Sequence, residues 1–159
     1  MNASIERFLA SAETLDALVK DLPEYMLNAS VAPGEWTIRH IVQHLADDGE
    51  LFSSAVKKAV AAPGAYLRFE GFPGNEVWST SLGYAHRPVP SALALFRAHH
   101  QTMAEVAELA SPDSFVAVLD DKGNHFRNMT VFEILDMLSD HLEEHLETIK
   151  AIRQQNGLS

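Results

Sequence analysis

The stretch Leu138-Ser-Asp-His-Leu-Glu-Glu-His-Leu-Glu-Thr-Ile149 splits its apolar and acidic residues between two sides of a helix and sets two histidines on the apolar side. At about 100° per residue, Ile134, Leu135, Leu138, Leu142, Ile149 and Ile152 share one arc with His141 and His145, while Asp136, Asp140, Glu143 and Glu147 point the other way. A helix so divided buries one face against other helices. Imidazoles directed into that face need hydrogen-bond partners or a metal ion, because an unpaired buried polar group costs roughly 1–3 kcal/mol.

Working outward, Thr130-Val-Phe-Glu133 forms a capping box that starts this last helix, and Gly157 closes it. Three further segments show the same periodicity. From about Ser4 to Asp21, Ile5, Phe8, Leu9, Ala12, Leu15, Leu18 and Val19 recur at helical spacing, with Pro23 ending the run. Thr37 is an N-cap after the Pro33-Gly34-Glu35-Trp36 loop, and the helix it starts runs to about Ala62, before Pro63-Gly64. A third helix spans about Ser91 to Ala110, with Leu95, Phe96, Met103, Val106 and Leu109 as its expected core face.

Between the second and third helices, Pro63 to Pro90 reads as irregular, rich in proline, glycine and aromatic residues. A connection that long in a compact fold is a functional candidate. Phe115–Leu119 and His125-Phe126, around Asp-Asp-Lys-Gly-Asn, resemble a small hairpin. The expected fold is therefore all-α: a four-helix bundle with a long irregular connection between helices 2 and 3, residues 1–159 forming one domain.

Composition narrows the function classes. With no cysteine, the chain holds neither disulfides nor thiolate metal sites, so any metal is bound through nitrogen and oxygen. The formal charge of −10 repels phosphate backbones, which argues against nucleic-acid binding. The N-terminal residues lack a signal-peptide pattern and no run is apolar enough to span a membrane, so a cytoplasmic protein without a membrane partner is expected.

Eight histidines are available to complete a site with His141 and His145. On the second helix His44 lies among Ile41, Leu51 and Ala55, whereas His40 groups with Asp47 and Lys58, an expected solvated set. His99 follows the line of Leu95 and Met103 and is expected in the core or near the site; adjacent His100 cannot share its direction. His86 and His125 fall in expected loops and receive no role. Two inward histidines on one helix and one on another would leave open positions on a metal, the pattern of a catalytic rather than a closed structural site. The competing reading, histidines that merely hydrogen-bond across the bundle, is not separated from it by sequence. Leu142 stands where a His-Glu-x-x-His zinc protease has its acid, so that chemistry is not expected. Asp48, Glu50 and Glu144 read as solvated acids, although Asp48 and Glu50 lie near enough to His44 to orient a ring or take a proton.

Trp36-Thr-Ile-Arg-His-Ile-Val-Gln-His44-Leu-Ala-Asp, a long middle region, and Thr130-Val-Phe-Glu-Ile-Leu135 leading to His141-x-x-x-His145 together resemble the DinB/YfiT-like superfamily of metal-dependent proteins. The resemblance covers most of the chain. It implies a four-helix bundle holding a divalent metal, often zinc or nickel, through one histidine of the second helix and an i, i+4 pair on the last. Those positions fall on His44, His141 and His145, the residues that the helical wheel selects. Relatives include S-transferases and an isomerase that use low-molecular-weight thiols, and others described as metal-dependent hydrolases. The resemblance thus implies a metal that activates a thiol, or otherwise water, toward a small-molecule substrate in a pocket partly closed by the Pro63 to Pro90 region, with a homodimer as an open possibility. A non-catalytic metal-binding or stress-related bundle protein is the alternative.

Overall fold

A computed structural model describes residues 2–158. In chain order the elements are α1 (Ala3–Val19), α2 (Glu24–Leu27), α3 (Ile38–Ala61), β1 (Ala65–Arg68), α4 (Asn75–Ser81), α5 (Val89–Ala107), β2 (Phe115–Leu119), β3 (His125–Thr130) and α6 (Val131–Gln155). The four long helices form a bundle in which α1 packs on α5 and α6, and α3 packs on the same two from the other side. Successive long helices α1 and α3 therefore lie across a diagonal, and α3 and α6 run side by side. That adjacency is what allows a residue of α3 to meet one of α6 nearly a hundred positions later.

Local chemistry sets the helix starts. Thr37 Oγ1 accepts from His40 N–H at the head of α3. Thr130 and Glu133 exchange bonds at the head of α6, the carboxylate accepting from Thr130 N–H at 2.8 Å and Thr130 Oγ1 from Glu133 N–H at 3.3 Å. Both boundaries agree with the capping signals in the sequence.

An all-α description needs correction. A three-stranded sheet covers one end of the bundle in the order β1-β2-β3, with β1 parallel to β2 and β2 antiparallel to β3. Leu67, Val116, Val118 and Met129 form its inward face and are buried. The β2–β3 hairpin turns through Gly123 at φ 81°, where Asp120 Oδ1 accepts from Lys122 and Asn124 N–H. The connection from Pro63 to Pro90 is also more ordered than expected, since it contains β1 and α4. Its short apolar segments gain stability only by pairing with β2 or packing on α3, long-range contacts that no local pattern announces.

The third long helix is rotated from its expected phase. Leu95 is 36% exposed and Leu109, beyond the helix end, is 73% exposed, whereas Ala92, Leu93, Phe96, His100, Met103, Ala104 and Ala107 are buried. Sandwiched between α1 and α3, α5 turns its small residues inward so that the helices approach closely. A wheel that weights leucine above alanine misplaces such a stripe.

The core falls into two clusters. One gathers α2, the start of α3 and the end of α6; the other gathers the second half of α3, the sheet and the start of α6. Polar side chains mark the level between them. Ser11 Oγ donates to Phe8 O at 2.9 Å and Ser139 Oγ to Leu135 O at 2.8 Å, each satisfied by its own helix. His44 and His141 lie at this level, on the seam between α3 and α6.

Candidate metal centre

His44 is delivered by α3, and His141 and His145 by consecutive turns of α6. His44 Nε2 and His145 Nε2 both approach His141 Nε2, at 3.2 and 3.0 Å, and one ligand nitrogen from each ring lies within 4.8 Å of the others. The rings meet edge to face, with centroids 4.7–5.3 Å apart. Nitrogens bound tetrahedrally at zinc's usual 2.0–2.1 Å would stand about 3.4 Å apart, close to what these rings adopt.

Proton accounting shows why this is more than a packed trio. Asp48 Oδ2 lies 3.3 Å from His141 Nδ1, so a neutral His141 that donates there presents only a lone pair at Nε2. One lone pair accepts one hydrogen bond well, yet two ring nitrogens crowd it. At least one of the close contacts is therefore not a hydrogen bond. Convergent nitrogen lone pairs in a half-buried seam are a donor set suited to a divalent cation.

The electrostatics keep those lone pairs free. Burial pushes the His44 imidazole below its ordinary range and proximity to His141 adds to this, while Asp48 opposes it. His145 is pushed down to about 4, first by burial and then by His141 and His44. Both rings are thus neutral at pH 7, the form that binds a metal.

Trp36, from the turn before α3, completes the back of the site. Its ring packs edge-on to His44 at 5.1 Å and parallel to His145 at 6.4 Å. Trp36 is expected only as part of the loop before Thr37; its position one residue before that cap is the signal that it folds back over the first turn. On the open side, cavities of about 250 and 300 Å³ both adjoin His44, and the second also adjoins His141. Phe69, Phe72 and Trp78, all from the Pro63 to Pro90 connection, line the first beside His44, Asp47 and Asp48.

Two acids depart from the solvated role expected of them. Asp48 contacts His44 Nε2, again at 3.3 Å, as well as His141, with only 24% of its side chain exposed. Asp47 accepts from Trp78 Nε1–H at 3.0 Å and from the Tyr84 hydroxyl, and so ties α4 and its flanking turn to α3. Burial and Asp47 hold the Tyr84 phenol above its usual range. Glu50 and Glu144 are exposed, as expected.

The remaining histidines sort differently. His40 is half-buried rather than solvated, its Nδ1 2.8 Å from Thr37 Oγ1 and its ring over Trp36, because the capping turn folds around it. It does not join the trio. His99 packs across the close approach at Gly49, on the α3–α5 seam and away from the three rings. The core position on α5 belongs instead to His100, between Phe8 and Phe96. His86 and His125 are exposed. Among the described residues, no helix is long and apolar enough to cross a membrane.

Comparison with known proteins agrees with this architecture. Residues 7–149 match the family model of the DinB superfamily. A solved structure, YfiT from Bacillus subtilis, described as a probable metal-dependent hydrolase with an unusual four-helix bundle topology, superimposes with a TM-score of 0.82. It is 18% identical, and the alignment covers 98% of this chain and 87% of that one, so the likeness is one of fold. Among functionally curated proteins, none matches in sequence.

Proposed function

This chain belongs to the DinB superfamily, and from that premise we propose that it is a metal-dependent enzyme in which His44, His141 and His145 hold a divalent ion, zinc or nickel, beside which a thiol or water is activated. The observation that carries this reading is the crowding of two ring nitrogens onto His141 Nε2, with too few hydrogen bonds to account for it. Bound there, a divalent ion supplies a Lewis acid whose full charge makes a small nucleophile acidic near neutral pH. The chain's own groups do the rest. Asp48 Oδ2, 3.3 Å from His141 Nδ1, is placed to orient that ring so that Nε2 faces the centre. The same carboxylate borders the cavity, where it is placed to take the nucleophile's proton. Trp36 shields the rings from behind, and the aromatic residues of the connection between α3 and α5 limit water at the front.

Activation of water is the reading favoured by the solved structural neighbour, whose description is that of a hydrolase. Activation of a thiol follows from the family resemblance, and the absence of any cysteine means that such a thiol would arrive as a cosubstrate. One experiment separates the two readings from a non-catalytic binder. Cobalt-substituted protein, titrated with small thiols, is expected to show a sulfur-to-metal charge-transfer band if the thiol reading holds. No band but turnover of activated esters, abolished in His145→Ala, selects hydrolysis. Neither response, with metal bound, leaves a binding protein.

A further inference from the structure

Resting on the metal-centre reading, we infer that the substrate is amphipathic, with a compact polar reacting end at the three histidines and an apolar chain that lies in a cleft between the sheet and the α3–α6 pair. This cleft, of about 330 Å³, has Leu67, Val118 and Met129 of the inward sheet face among its lining residues. Its polar residues, Asp120, Asp121 and Arg127, come from β3 and the hairpin turn. The cleft is not isolated. Phe52, Phe69 and Met137 line both it and the cavity that contains His44 and His141, so these three side chains are the partition between them. Met137 is partly buried and unbranched, which makes the partition soft.

The surface around this end of the molecule is apolar beyond what scattered exposure explains. Phe126 is 70% exposed at the cleft, and Phe72 and Trp78, at 44% and 38%, stand beside the neighbouring cavity. Apolar surface collected around a concave site marks a ligand-binding surface. Because only Phe52, Phe69 and Met137 separate the cleft from the histidine cavity, its occupant is inferred to be part of the molecule whose polar end reaches the trio.

Straight-chain hydroxamates from two to eight carbons provide the test, with binding measured by calorimetry on zinc-loaded and metal-free protein. Their head group ligates a metal, and the chain samples the cleft. Affinity for the loaded protein is expected to rise by about fourfold per methylene that enters the cleft, the value of burying one CH₂. Phe126→Ser, at an exposed position that leaves the fold intact, should reduce that gain for the longest members and leave acetohydroxamate binding unchanged. A flat chain-length series on loaded protein overturns the proposal, as does the absence of binding by any member. So does a Phe126→Ser variant that turns a dimer into a monomer without changing the series, because the cleft is then a contact between copies. Should acetohydroxamate ignore the ion while longer chains bind metal-free protein with the same increments, the apolar cleft stands and the metal reading falls.

Discussion

His100 on α5 and His145 on α6 are the same residue type, both pushed down to about 4 with burial as the first cause. Their surroundings differ in what they leave unpaired. His100 is sandwiched between Phe8 and Phe96, with ring centroids at 4.2 and 3.9 Å, and its Nδ1–H donates to Phe96 O at 3.1 Å. It behaves as an aromatic core residue with one satisfied polar edge. His145 instead directs Nε2 at another imidazole nitrogen that is already crowded. A depressed pKa therefore does not distinguish a structural histidine from a metal-ligand candidate; the count of protons against acceptors does.

The comparison is broken most sharply by alanine. His44→Ala, His141→Ala and His145→Ala should each lose most bound zinc or nickel, read by metal analysis of purified protein, while the far-ultraviolet helical signal persists. His100→Ala should do the reverse, keeping the metal but losing about 3 kcal/mol of stability in urea unfolding, as expected for emptying a well-packed aromatic site. Full metal retention in all three site variants, or equal loss in His100→Ala, would falsify the division.

A pH series sharpens the His100 side. Its folded pKa lies below the unfolded value near 6.5, so the unfolded chain binds the extra proton between the two. Stability from this residue is complete above about pH 6.5 and falls as pH drops toward 4, by an amount on the order of 3 kcal/mol. Taking the difference between the natural chain and His100→Phe cancels the contributions of the trio. A difference independent of pH would mean that folding leaves the His100 pKa at its unfolded value.

On the other side, Asp48→Asn should weaken metal binding by about 10- to 100-fold without unfolding the protein, the usual effect of losing a carboxylate behind a metal-bound imidazole. Unchanged affinity in a metal-buffer competition would return Asp48 to the surface role first expected of it. The smallest effect belongs to His99→Leu. His99 Nδ1 is buried without a hydrogen-bond partner among the described residues, so replacing the ring with an apolar group should be neutral or stabilising by up to about 1 kcal/mol, with no effect on metal content.

How far the sequence carried the site depended on which helix a histidine occupies. On α6 and α3 the apolar residues are large and their periodicity clear, so the inward phase of His44, His141 and His145 was legible. On α5 the inward face includes Ala92, Ala104 and Ala107 beside its larger residues, and the same reasoning favoured Leu95 and His99 over Ala92 and His100. Asp47 and Asp48 were misjudged for a different reason. Their partners, Tyr84, Trp78 and His141, arrive from segments 31 to 93 residues away, and an acid beside His44 looks solvated until those segments are folded against it.

By itself, the sequence determined the four amphipathic helices, two of their caps, the exclusion of thiolate ligation and the three histidines that face inward, because caps, periodicity and residue chemistry act within a few positions of each other. Tertiary structure alone decided that α3 lies beside α6, that β1 joins the distant hairpin, and that Asp48 and Trp36 close around the rings. Those outcomes depend on burying surfaces that meet only after the chain has returned on itself, and no local pattern encodes which surface is met.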